Sequence, residues 1–333
     1  MVHKESGFVV LEGHGDAAHP ELAHWHGNIG EPVALDQGRE VPEHTRVIDV
    51  LSWNVAIGLG RLEQVVQQLK AGVFDGESRA HDRPLVILVQ EAYRSDETVP
   101  SELKSPHHGG KSPRNQRFDI VEAARALDMS LRYAPSMRNG RHRSDRGNAV
   151  LASTAIGHAR AFPLPHVRQL RVAVAVELAG LPWLTFVSAH LDTRGRVRST
   201  PMTGRYASGR AAQARGLAQR LANDLGEVQH VLIGADLNTY LGTREPLLRE
   251  LHGAGFDRKP HVPPRSHTFH APPVRMLLDH IFVRAVGAGI TDVHVRRLDE
   301  HVLDRGPNVF GSDHHPLLAR LEIVDVDRRR ARR

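Results

Sequence analysis

An α/β domain built on mixed β-sheets is the fold class this sequence predicts, and three observations predict it. Short apolar runs of strand length alternate with segments whose apolar residues recur at helical spacing. Some neighbouring strand segments form hairpins, as at Val172–Leu178 and Trp183–Leu191, so antiparallel pairs must sit beside parallel ones. No internal repeat or clear linker interrupts the chain after residue 45, and 40% hydrophobic residues supply ample core.

Residues 1–45 are rich in Gly, Pro and His, with His3, His14, His19, His24 and His26 among the first thirty. Their spacings match no familiar metal-ligand set, and the stretch reads as a partly ordered N-terminal arm. The texture changes at Arg46. Val47–Val55 alternates around Ile48, Val50 and Leu51 and reads as a strand with Asn54 near its end. Leu62, Val65, Val66 and Leu69 predict a helix that Gly72 ends. Pro84–Val89 is uniformly apolar, the mark of a buried strand, and Gln90 and Glu91 follow at once. A carboxylate one step past a buried strand is either solvated at the rim or holding a cation.

Residues 94–117 read as a long polar loop and Phe118–Leu127 as a helix that brings the chain to Leu131–Ala134. Arg138–Arg146 reads as a basic loop before the strand at Gly147–Leu151. The hairpin that follows ends in Ser188-Ala189-His190-Leu191-Asp192. Between Asp192 and Asp224 there is no acidic residue, yet seven arginines fall there: Arg194, Arg196, Arg198, Arg205, Arg210, Arg215 and Arg220. The first half of that stretch reads as a basic loop. The second reads as a helix with Ala214, Leu217, Leu221 and Leu225 on one face.

His230–Ile233 is a short buried strand that Gly234 is expected to break. Asp236 and Asn238 follow at i and i+2, a spacing that puts both on one face of an extended segment. Such a pair can handle one water molecule, Asp236 accepting its proton and Asn238 setting its direction. The same two residues also suit a simple turn cap. A helix near Glu245–His252 and a Pro/His loop over 260–273 come next. Met276–Val283 is a strand carrying Asp279 inside an apolar run, where a carboxylate needs a partner. Gly311-Ser312-Asp313-His314-His315-Pro316 supplies one, ahead of the last strand, Leu317–Val324. The domain then spans 46–326, and the arginines of 327–333 form a disordered basic tail.

Net charge is +6 with a pI near 10.0, which favours a polyanionic or phosphate-bearing partner. The absence of cysteine excludes disulfides, thiolate metal sites and cysteine nucleophiles. No secretory signal is recognisable after Met1, and no apolar run approaches the roughly 18 residues that span a bilayer. The expectation is a cytoplasmic protein without integral membrane association, monomeric by default.

Polar residues thus recur at the ends of separate predicted strands. In chain order the motifs are Ser52-Trp53-Asn54, Val89-Gln90-Glu91, Ser188–Asp192, Gly234-Ala235-Asp236-Leu237-Asn238, Leu278-Asp279-His280 and Ser312–Pro316. In this set and order the chain resembles the endonuclease/exonuclease/phosphatase superfamily, the deoxyribonuclease I-like group. The likeness runs from residue 52 to 316, with the Ser-Asp-His-x-Pro ending and the Asp-x-Asn pair its most specific parts. Ala235 stands where many relatives have Gly directly before Asp, but the Asp-x-Asn spacing is kept.

The resemblance implies a four-layer α/β sandwich, two mixed sheets face to face with helices outside and the motifs at one edge. It implies Mg²⁺ or Mn²⁺, with Glu91 the principal ligand, Asn54 nearby and Asp313 contributing. It implies a phosphoesterase in which Asp236 deprotonates water beside Asn238. His314, kept cationic by Asp279, would bond a phosphate oxygen, and the leaving oxygen would take its proton from His190 or from a water on the metal. Asn148, Arg141, Arg194 and Arg196 are candidates for contacting substrate phosphate. The basic segments favour nucleic acid as substrate. Hydrolysis of phospholipid headgroups or inositol phosphates on the same fold, and a non-catalytic nucleic-acid-binding scaffold, are the alternatives.

Overall fold

The computed structural model describes residues 8–10, 27–74, 83–102, 117–193, 205–225, 230–262, 267–287, 289–299 and 309–324. Among the described residues, two large sheets and four α-helices make up the body. One sheet has the order β1-β7-β8-β9-β10-β15-β11, where β1 is Phe8–Val10, β7 Ile156–Pro163, β8 Val172–Leu178, β9 Leu181–His190, β10 His230–Asp236, β11 Asp257–Lys259 and β15 Asp279–Arg284. The other has the order β12-β16-β17-β3-β4-β6-β5-β2. Its members are β2 Val33–Leu35, β3 Val47–Asn54, β4 Leu85–Arg94, β5 Ser130–Arg138, β6 Asp145–Ala152, β12 His261–Val262, β16 Ile290–Arg297 and β17 Leu317–Ile323. A small hairpin, β13 Phe269–Ala271 and β14 Val274–Met276, stands apart. The helices are α1 Leu62–Lys70, α2 Ile120–Ala126, α3 Arg205–Leu225 and α4 Pro246–Gly253.

Strand alternation builds the layers. Ile48 and Val50 of β3, Val86 and Leu88 of β4, Phe186 of β9, Leu232 of β10 and Ile281 of β15 share the core between the sheets. The opposite face of β3 and β4, with Leu51, Trp53, Ile87 and Val89, packs on α1 through Leu62, Val65, Val66 and Leu69 and on α2 through Ile120 and Ala124. The opposite face of β9 and β10, with Val187, Val231 and Ile233, packs on Ala214, Leu217 and Leu221 of α3 and Leu247 and Leu251 of α4. Helices, sheet, sheet and helices are thus stacked in four layers, the predicted sandwich.

Gly234 does not end its strand, contrary to the sequence reading. β10 continues through it to Asp236, paired on both sides. The glycine is needed because the sheets approach closely here: a Cβ would lie 2.6 Å from Ser52 Oγ and 2.7 Å from Leu88 Cδ1. Beside it the Gln90 amide nitrogen donates to Ser188 Oγ and to the Gly234 carbonyl, each at 3.2 Å, and Ser188 Oγ donates to the Val89 carbonyl at 2.9 Å. These motif residues stitch the sheets together directly beneath the strand ends.

Other expectations are revised. Of Arg138–Arg146, residues 139–144 form the predicted turn between β5 and β6 while Arg138, Asp145 and Arg146 are paired strand, and its arginines are not all free. Arg138 is buried and donates to the Pro100 carbonyl, while Arg143 donates to the carbonyls of Val99 and Glu97. β7 and β16 were not predicted, and the stretch read as an arm places β1 and β2 at sheet edges. The basic tail and the loop at 194–204 lie outside the described residues. Among the described residues, no helix is long and apolar enough to cross a membrane.

Candidate active site

Register sets the site. His190 closes β9, Asp236 closes the adjacent parallel β10, and Asp279 opens the antiparallel β15. Asp236 is the direct partner of both. In the second sheet Asn54 closes β3, Gln90 pairs with it on β4, and Leu317 of β17 pairs with Ser52, so His314 sits just before β17 at the same edge. Trp53 Nε1 donates to the His314 carbonyl at 2.8 Å and Ser312 Oγ to the Asn54 carbonyl at 2.7 Å, fixing the His314 turn against β3.

Asp236 is the hub. Asn54 Nδ2 donates to its Oδ2 at 2.9 Å, and the Asn238 backbone N–H donates to its Oδ1 at 3.0 Å. His190 Nε2 lies 3.3 Å and His314 Nε2 3.9 Å from Oδ2. The turn-capping reading of Asp236 and the chemical one therefore hold together, and Asn238 occupies the left-handed region (φ 51°) that the cap requires. Burial, reinforced by the charge of Asp279, pushes the Asp236 carboxyl up to about 7, against the pull of His314 and its hydrogen bonds.

His314 Nδ1 is 2.7 Å from Asp279 Oδ2, with both side chains buried. Burial opposes charge on this ring, but Asp279 outweighs it and raises His314 to about 10. His314 is thus an imidazolium at neutral pH with Nε2–H turned toward the hub. His190 is the opposite case. Burial, then the neighbouring Arg171 guanidinium, hold it well below the usual histidine range.

Glu91 sits in β4 at a bulge, with the pairing to β6 broken between Val89 and Ala92 and a left-handed backbone (φ 54°). It lines a crevice with Ser136, Arg146, Gly147, Asn148, Arg171, Val172 and His190. Among the described residues its carboxylate takes no hydrogen bond or ion pair. Burial raises the Asp313 carboxyl; His314 opposes that rise and Glu91 adds to it. Two carboxylates that repel each other, one of them without a partner, suit a hard cation. Asn54 Oδ1 accepts the Ala56 N–H at 3.0 Å and keeps a second lone pair. A second group, Asp236, Asp279 and His314, has ligand atoms within 4.8 Å of one another and could also hold a metal. Its histidine, however, is committed to Asp279, and protonation competes with ligation there.

The structure therefore gathers Asn54, Glu91, His190, Asp236, Asn238, Asp279, Asp313 and His314 at one edge. Asn148 joins the crevice beside Glu91, its Nδ2 donating to the Val172 carbonyl at 2.6 Å. Arg141 is exposed in the β5–β6 turn and does not line that crevice, while Arg194 and Arg196 lie outside the described residues. Sequence reading missed Arg171 and Arg146, which do line it, and Tyr240, whose hydroxyl donates to Asn238 Oδ1 at 2.9 Å. The sign of the local charge was readable; which arginines face inward depends on register.

Comparison with known proteins agrees with this geometry. No curated protein matches the chain in sequence. Among solved structures, an endonuclease/exonuclease/phosphatase from Beutenbergia cavernae DSM 12333 is similar at a TM-score of 0.53 and 16% identity, covering 84% of this chain and 72% of that one. The human Nocturnin catalytic domain with bound sulfate follows at 0.52 and 16%, covering 88% and 97%. D. rerio TDP2 complexed with single strand DNA product is similar at 0.50 and 16%, covering 83% and 99%. These likenesses concern the fold. Residues 51–314, well over half the chain and including every motif but the last two positions of the final turn, match the sequence model of one family. The chain belongs to the Endonuclease/Exonuclease/phosphatase family, whose members are hydrolases of phosphoester bonds.

Proposed function

We propose that this protein is a divalent-cation-dependent phosphodiesterase acting on nucleic acid. The carrying observation is the Asp236 hub, a buried carboxylate raised toward neutrality and facing an imidazolium, His314, across 3.9 Å. A base poised near the working pH next to a fixed positive donor is what attack of water on an anionic phosphorus centre needs.

Asp236 takes the proton of the attacking water as its oxygen bonds to phosphorus, and Asn238 orients that water. His314 presents Nε2–H to a non-bridging oxygen, its Nδ1 held by Asp279. The phosphorus–oxygen bond to the leaving group breaks, and the departing oxygen takes a proton from solvent. Glu91, with Asn54 and Asp313, would hold a divalent cation, which when bound would supply positive charge to the phosphate.

Support for nucleic acid is electrostatic. The chain carries +6 net charge, Arg146 and Arg171 line the Glu91 crevice, and the acid-free arginine stretch begins directly after the site strand β9. Two arginines of α3 do not contribute, since Arg210 pairs with Glu245, which caps the start of α4, and Arg215 with Glu250 within it, each at 2.6 Å. The TDP2 structure of like fold holds a single strand DNA product. The test is a panel of DNA, RNA, lipid headgroup and inositol phosphate substrates with Mg²⁺ or Mn²⁺. Chelator-sensitive cleavage of nucleic acid is expected, lowered roughly 10²-fold or more in Asp236→Ala. Turnover confined to lipids or small phosphoesters would transfer the site to the headgroup reading, and full activity in Asp236→Ala would remove its base.

A further inference from the structure

The SAHLD motif ends in Asp192, and nothing in the reaction above uses it. Its Oδ2 accepts the backbone N–H of Arg168 at 2.8 Å and of Gln169 at 3.0 Å, and so fixes the turn before β8. That turn places the Gln169 Oε1, which accepts Arg171 Nη2 at 2.7 Å. Arg171 Nη1 then lies 3.1 Å from His190 Nδ1, with both side chains buried. Asp192, Gln169, Arg171 and His190 form one chain of contacts that returns to the motif it started from.

The chemistry of that last contact is one-sided. A guanidinium has only donors and keeps its proton at any accessible pH, so His190 Nδ1 must be the bare, accepting nitrogen. The ring's other nitrogen, Nε2, is 3.3 Å from the Asp236 carboxylate, an acceptor that calls for N–H. Asn238 Nδ2, 3.2 Å from the same nitrogen, gives one of its two hydrogens to the Leu191 carbonyl at 3.1 Å, and its other hydrogen is the contact that favours a bare Nε2. Arg171 at Nδ1 and Asp236 at Nε2 ask for the same tautomer, against the single amide contact of Asn238.

Resting on the phosphodiesterase reading, we propose that Arg171 is a positioning residue: it locks His190 as the neutral tautomer with its proton on Nε2. His190 is then a fixed neutral hydrogen-bond donor beside the base, and the charged donor, the imidazolium, is left to His314. The groups acting on the ring are Arg171, His314 and Arg146, with Asp236 at Nε2, and the three cations all oppose a charge on His190. The division of labour between the two histidines follows from their opposite partners, an arginine for one and an aspartate for the other.

The experiment is ¹⁵N–¹H correlation spectroscopy of side-chain histidine in the full chain, with His190 assigned by the signal lost in His190→Gln. At neutral pH, Nε2 should be protonated and Nδ1 bare. A proton on Nδ1, or on both nitrogens, would overturn the proposal, and this readout needs neither a variant of Arg171 nor turnover. It therefore stands or falls separately from the nuclease assay. In parallel, Arg171→Met should populate both tautomers and lower kcat on bis(p-nitrophenyl) phosphate roughly tenfold with KM little changed, and Arg171→Lys should recover most of it. A rise in KM at unchanged kcat would make Arg171 a phosphate-binding group instead.

Discussion

His314 and Asp279 meet at 2.7 Å from opposite sheets, β15 contributing the carboxylate and the turn before β17 the ring. Because the charge on His314 depends on that one partner, its loss should show in the pH profile. In the native protein His314 is protonated up to about 10, and activity that needs the imidazolium falls only above that. Asp279→Asn keeps the shape and removes the charge. The alkaline limb of kcat/KM should move down by more than one pH unit, with kcat at pH 8 reduced roughly 10²-fold. An unmoved alkaline limb would mean that another group sets it.

The acid limb belongs to Asp236. Burial and Asp279 raise this carboxyl to about 7, and only its ionised form can take a proton from water. Activity should therefore rise with pH through the neutral range, not through the ordinary carboxylate range near 4. Rising divalent-cation concentration should shift this limb downward, since added positive charge favours the carboxylate. A limb near 4 that ignores cation concentration would place the base elsewhere.

Two carboxylate groups compete for the cation, and substitution separates them. Glu91→Gln should weaken Mg²⁺ or Mn²⁺ binding, read by calorimetry, by at least the roughly 10–100-fold that loss of a supporting partner costs at metal sites. Asp279→Asn should weaken it far less. The reverse ranking would seat the ion in the Asp236–Asp279–His314 group.

What could be read from the sequence was the position of each polar residue on its strand. Asn54, His190 and Asp236 stand at the ends of apolar runs, and that position is visible without knowing which strands are neighbours. Glu91 was visible as a carboxylate past a buried strand, but its bulge was not, because a bulge is defined by the partner strand β6. β7 and β16 escaped for a related reason. β7 carries its inward positions on small residues such as Ala159 and Ala161, and β16 is half exposed with charges between its apolar residues, so neither shows a strong period. The arginines misled most. Arg138 and Arg143 spend their donors on carbonyls some 35 to 45 residues away in the chain, contacts that composition cannot reveal.

Gly234 gives a test of the sheet contact beneath the site. An added methyl would come within 2.7 Å of both Ser52 and Leu88, and neither can withdraw, since Ser52 is part of β3 and Leu88 is in the inter-sheet core. Gly234→Ala should destabilise the fold by about 1–3 kcal/mol, the usual cost of overpacking, measured by urea unfolding. Ser52→Gly in the same chain should recover part of that loss. Equal stability of Gly234→Ala and the native protein would show that the sheets are looser than the side chains here indicate.

Asp145 offers the sharpest separation of stability from chemistry. It is fully buried at the start of β6 and accepts from Arg94 Nε at 3.1 Å, Tyr133 OH at 2.7 Å and the Gly30 backbone N–H at 2.8 Å. The Gly30 contact ties residues outside the predicted domain boundary to its core. Removing the carboxylate leaves a buried guanidinium and two donors without their acceptor, and stranding one member of a buried ion pair costs about 3–5 kcal/mol. Asp145→Ala should therefore lower the unfolding midpoint strongly. Double replacement with Arg94→Met should recover much of the loss, because no charge is then stranded. If Asp145→Ala and the double variant were equally unstable, the packing of the carboxylate and not its charge would be what holds this corner of the sheet.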